Sequence, residues 1–145
     1  MIQVFNPAKM KLKPDFDRCE EEATRLLFKL NVASPNIDIL SLHYDRNIIF
    51  DSIQNYCNIV HKDIFSFNVG GILKDGCTIV LENSIFLVLY NDDVILPERL
   101  NWTLAHEIGH IYLGHVKNEE KEEIEAHWFA AQFLMPEYII RYMKK

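Results

Sequence analysis

The sequence predicts an α+β fold, in which a small, largely antiparallel sheet of about three strands packs on helices. Three observations carry that reading. Apolar residues recur at three- and four-residue steps near the start of the chain and again after residue 97. Between residues 64 and 90 the period shortens to two, with Gly70-Gly71 and Asp75-Gly76 as punctuation. No repeat, low-complexity tract or linker breaks the chain, so residues 1–145 read as one domain.

The elements follow in order. Pro14 and Asp15 open a helix over residues 15–30, with Cys19, Ala23, Leu26, Leu27 and Leu30 on its apolar face and Glu20, Glu21 and Glu22 toward water. Ser34-Pro35-Asn36 opens a short helix over 37–43. Residues 46–60 suit a helix, although Ile48-Ile49-Phe50 also suits a strand. Residues 64–69 alternate, and 77–81 with 85–90 read as a hairpin about Glu82-Asn83-Ser84. Pro97 fits a first helical position, with Glu98 in the first turn where a negative charge suits the helix dipole. Leu100, Leu104, Ile108 and Ile111 then form a core-facing stripe. Ala105 and Gly109 let another backbone come close. This helix is expected to end near His115, with Val116-Lys117-Asn118 as a turn and Asn118 capping a helix over 119–135.

The chemistry lies in that helical pair. His106-Glu107-Ile108-Gly109-His110 is an HExxH motif. On a helix, residues four apart share a face, so His106 and His110 can offer two imidazole nitrogens to one ion. Glu107 sits about 100° round the helix and can reach the ion's water without becoming a ligand. Two histidines and a glutamate among Leu, Ile and Ala need partners for all three, and a metal supplies them together.

A zinc site of this kind wants a third protein ligand and an open position for water. His115 is disfavoured. The pattern HExxHxxGxxH needs a glycine turn where this chain has Tyr112-Leu113, and a helix running on to His115 carries that side chain away. The following helix is the better source. If two antiparallel helices meet at about Lys117, His110 and Glu123 lie at similar height, seven residues before that turn and six after it. Glu123 also shares a face with Ala126, Ala130 and Leu134. Glu122 and Glu125 are rivals, and a solvated acidic first turn accounts for most of the run 119–125.

Residues 104–110, Leu-Ala-His-Glu-Ile-Gly-His, and 123–136, from Glu123-Ile124-Glu125-Ala126-His127 to Met135-Pro136, resemble the ImmA/IrrE family of zinc metallopeptidases. Its motifs read TLAHELGH and E-x-E-A-N-x-F-A-A-x-L-L-M-P, and Arg99-Leu100-Asn101-Trp102-Thr103 is similar to its R-x-R-F-T lead-in. The resemblance covers about residues 85–136. It implies Zn²⁺ held by His106, His110 and Glu123, with Glu107 as the catalytic base. His127 replaces the motif's asparagine. Four residues from Glu123, it is expected to hydrogen-bond a ligand, or else to compete as one.

The resemblance further implies a metalloendopeptidase whose protein substrate is a helix-turn-helix transcriptional repressor of a mobile element, such as a phage, or of a stress regulon. A non-catalytic antirepressor with a structural zinc, or a toxin-like effector protease, are the alternatives. Residues 85–90 are the strand expected to pair with substrate backbone. Tyr112, Tyr138 and Tyr142 read first as interface or core aromatics, and spacing does not choose among them as an oxyanion donor.

Composition excludes other classes. A net charge of −6 with scattered basic residues argues against direct nucleic-acid binding. No apolar run approaches the roughly 20 residues of a membrane span, and no signal peptide is apparent. Cys19, Cys57 and Cys77 lack C-x-x-C spacing and read as reduced thiols of a cytoplasmic protein. His43 and His61 lie outside both motifs and read as ordinary surface histidines.

Overall fold

The computed structural model describes residues 13–32, 34 and 37–136. Asp15 caps α1 (Phe16–Lys29), its carboxylate accepting from the Arg18 N–H at 3.1 Å. Cys19, Ala23, Leu26 and Leu27 are buried, as their spacing predicts. The short helix expected over 37–43 is one 3-10 turn, Ile39–Ser41; Pro35 and Asn36, which were to open it, lie outside the described residues.

The stretch over 46–60 divides in two. Ile48–Ser52 is β1, and Ile53–Val60 is α2, begun by the Ser52 side chain accepting from the Asn55 N–H at 2.9 Å. The β-branched run therefore goes to the sheet, and a serine cap marks the boundary. The alternation at 64–69 yields a strand only at its end. The Asp63 carboxylate accepts from the Phe65 N–H at 3.0 Å and bends Ile64–Phe67 into a 3-10 turn. Asn68–Val69 (β2) then pairs with Ile72–Leu73 (β3) in a two-stranded hairpin.

The main sheet has three strands in the order β1-β5-β4, with β4 at Gly76–Leu81 and β5 at Ile85–Tyr90. β4 and β5 form the predicted antiparallel hairpin, and β1 joins β5 in parallel. The fold is α+β, as expected. One expectation about the sheet is corrected: β5 is its central strand, so residues 85–90 offer no edge to a substrate. The physical sign is in the run Ile-Phe-Leu-Val-Leu-Tyr, apolar at every position because both faces are covered. Val88 packs with α1 and the later helices on one face, while Leu87 and Leu89 join Ile53, Cys57 and Phe67 on the other.

α3 (Pro97–Tyr112) and α4 (Glu120–Leu134) follow the sheet and lie against each other and α1. Gly109 is the point of close approach. A Cβ there would stand 3.0 Å from Phe129 Cδ1, so the small residue lets α4 come near the histidines. Arg99 grips Asp75 through two bonds of 2.6 and 2.7 Å, tying the start of α3 to the start of β4. Asn118 does not cap α4; Glu119 holds that position, without a side-chain hydrogen bond. Among the described residues no helix is long and apolar enough to cross a membrane.

Candidate metal centre

α3 ends three residues earlier than its pattern predicts, and the way it ends shapes the site. Gly114 takes φ +68°, open to glycine at no steric cost. The Gly114 N–H then bonds Ile111 O at 3.2 Å and the His115 N–H bonds His110 O at 3.0 Å. That pair of closing bonds is a Schellman C-cap. It folds the chain back over the last turn and sends residues 115–119 toward α4.

The antiparallel return places Glu123 opposite the two histidines. Its carboxylate lies 3.0 Å from His106 Nε2 and 3.2 Å from His110 Nε2, and the two Nε2 atoms stand 3.1 Å apart. Tetrahedral zinc with nitrogen and oxygen ligands at ~2.0–2.1 Å has ligand-to-ligand edges of about 3.3 Å. The triangle of donors therefore has the size of one face of such a site. Its chemistry fits as well. Lone pairs of two neutral imidazoles and a carboxylate converging on one point repel each other unless a cation sits among them. These three are a group that could hold a metal ion.

Glu107, 8% exposed, lies on the same turn of α3. Thr78 on β4 donates to its Oε1 at 2.9 Å, a partner that sequence reasoning did not find. The β4 register explains the contact: Thr78 stands opposite Val88, on the sheet face that α3 covers. Glu107, the three donors and Thr78 all line a cleft of about 1080 Å³. β4 is the edge strand along that cleft.

The remaining candidates sort as follows. The His127 imidazole packs against other rings: it lies 4.6 Å from that of His106 and stacks on Trp102 at 5.6 Å. Burial, then the nearby His106, pushes its pKa down. Glu122 is buried outside the donor triad, with Lys117 at 3.9 Å. Glu125 is 2% exposed and faces His115, not the metal centre. Tyr112 donates its hydroxyl to Asp45 at 2.6 Å and does not line the cleft, while Tyr138 and Tyr142 lie outside the described residues. His43 and His61 are exposed. Cys19, Cys57 and Cys77 are free thiols.

A peptidase family model described as the IrrE N-terminal-like domain matches residues 84–145. The match takes in β5, α3 and α4, and so every residue of the metal triad together with Glu107. No curated protein and no solved structure matches the chain.

Proposed function

Because residues 84–145 belong to the IrrE N-terminal-like peptidase family, we propose that this chain is a zinc-dependent metalloendopeptidase. The observation that supports it most is Glu107, a buried carboxylate beside three convergent metal donors that is not one of them. A purely structural metal site has no use for a base in that position.

When bound, zinc supplies Lewis acidity toward water and the scissile carbonyl. His106, His110 and Glu123 are the residues that hold it, leaving the cleft side open to water and substrate. Glu107 accepts the proton of the attacking water and returns it to the leaving amine. Thr78 occupies Oε1, so Oε2 is the atom that carries that proton. The substrate backbone lies along β4, whose outer edge is unpaired among the described residues, and adds a strand to the sheet. Exposed Val69, Val80 and Val116 border the cleft and favour apolar side chains beside the scissile bond.

The substrate we favour is a helix-turn-helix repressor of a mobile element or stress regulon. The test is incubation of zinc-loaded protein with the repressor encoded beside it, read by mass spectrometry. Fragments with wild type and none with Glu107→Gln support the reading. Binding without cleavage by either protein favours an antirepressor.

A further inference from the structure

The two histidines of the triad are held differently. His106 Nδ1 is buried and has no hydrogen-bond partner among the described residues. His110 Nδ1 faces His115 Nδ1 at 2.8 Å. His115 Nε2 in turn lies 2.9 Å from Glu125 Oε1, and Glu125 Oε2 accepts the Asp15 N–H at 2.7 Å. The His115 and Glu125 side chains are only 7% and 3% exposed. The series runs from the metal centre, through α3's C-cap and α4, to Asp15, the residue that caps α1.

The partners decide where the protons are. Asp15 N–H can only donate, so Glu125 Oε2 accepts, and the ionised carboxylate has only acceptor oxygens to offer. His115 must therefore carry its proton on Nε2 and present a bare lone pair at Nδ1. That lone pair accepts only from a proton on His110 Nδ1. His110 is thereby left with its Nε2 lone pair free, on the side where Glu123 and His106 converge. Each bond fixes the next, and the last fixes the tautomer a metal ligand needs.

We infer that His115 and Glu125 are positioning residues that hold His110 in the orientation and tautomer for binding zinc. The inference rests on the metallopeptidase reading of the centre. It also gives a use to two groups that are otherwise costly. A buried carboxylate needs donors at both oxygens, and it has them. The Schellman cap places His115 where an unbroken helix would not, because the bond from its N–H to His110 O brings its ring to 5.1 Å from that of His110. Arg18 supports the cap by donating to Leu113 O at 2.7 Å.

The test is made on the full chain in two parts. Long-range proton–nitrogen spectra of the zinc-loaded wild type report the tautomers and need no variant. They should place the proton of His110 on Nδ1 and that of His115 on Nε2. Zinc affinity, by competition with a chromophoric chelator, should fall ~10–100-fold in His115→Leu. His115→Gln, whose amide offers both an acceptor and a donor, should recover most of that loss. Glu125→Gln, with one acceptor for two N–H donors, should weaken binding less than His115→Leu. A His115 protonated on Nδ1 overturns the inference. So does an unchanged affinity in His115→Leu when His110→Ala loses zinc, and that result leaves the metal reading standing. A wild type that takes up no zinc overturns both.

Discussion

The hydroxyl of Thr78, on the edge strand of the sheet, donates a 2.9 Å hydrogen bond to Oε1 of Glu107 on α3. The bond sets the rotation of the carboxylate and leaves one oxygen for proton transfer. A hydrogen bond to a charged group contributes ~1.5–3 kcal/mol, so losing it should cost kcat roughly tenfold or more. Thr78→Val keeps the shape and removes the donor. It should lower kcat with KM and zinc content unchanged, and Thr78→Ser should restore the rate. Kinetics of Thr78→Val equal to wild type would sink this role.

The three acids at the start of α4 should separate by measurement. Glu123→Ala removes a donor of the metal triad and should abolish retention of one zinc per chain, read by elemental analysis after dialysis. Glu122→Ala removes a carboxylate that faces Lys117 at 3.9 Å and lies outside the donor triad, so zinc should be retained. Glu125→Ala should fall between them, since it reaches the metal only through His115. Zinc retained in full by Glu123→Ala would remove Glu123 from the ligand set.

His127 supports His106 by ring packing and stands where the family motif has asparagine. His127→Ala should therefore weaken zinc binding. His127→Phe, which restores a ring against His106 and Trp102, should recover more of the affinity than His127→Asn. If asparagine recovers more, hydrogen bonding and not packing is the contribution, as first expected from the motif.

Much of this site was legible in the sequence because its geometry is local. His106 and His110 share a helix face by spacing alone, and the short link to α4 put Glu123 opposite them. What escaped was set by long-range register or by one backbone angle. Thr78 meets Glu107 only because β4 pairs in a register that turns residue 78 toward α3. His115 returns to His110 because Gly114 ends the helix early, although a glycine directly before a histidine was a visible signal for it. The place of β5 at the centre of the sheet depends on β1 joining it in parallel, a pairing between residues far apart in the chain. Its unbroken apolar run was the clue that an edge was the wrong position.

The thiol beside the base gives a pH-dependent prediction. Burial pushes Cys77 up to about 11; Lys74 opposes this and the charge of Glu107 adds to it. At pH 8 about one thiol in a thousand is then ionised, and iodoacetamide should label folded protein far more slowly than protein in urea. Since the folded value lies above that of an unfolded thiol, its contribution to stability is full below about pH 8.5 and is lost as pH rises through 11. Labelling at equal rates in the two states, followed by mass spectrometry, would contradict the burial argument.

The central claim is that Glu107 is a catalytic base and not a structural group. Glu107→Gln keeps the side chain's size and its hydrogen bond to Thr78 while removing its basicity. The decisive measurement is cleavage of the neighbouring repressor by zinc-loaded wild type and Glu107→Gln side by side, with zinc content and repressor binding recorded for both. Wild type should cut. Glu107→Gln should bind zinc and repressor normally yet cut slower by at least the ~10²–10⁴-fold that general-base catalysis supplies. Equal cleavage by both proteins, or equal relief of repression with no fragment from either, would contradict the account.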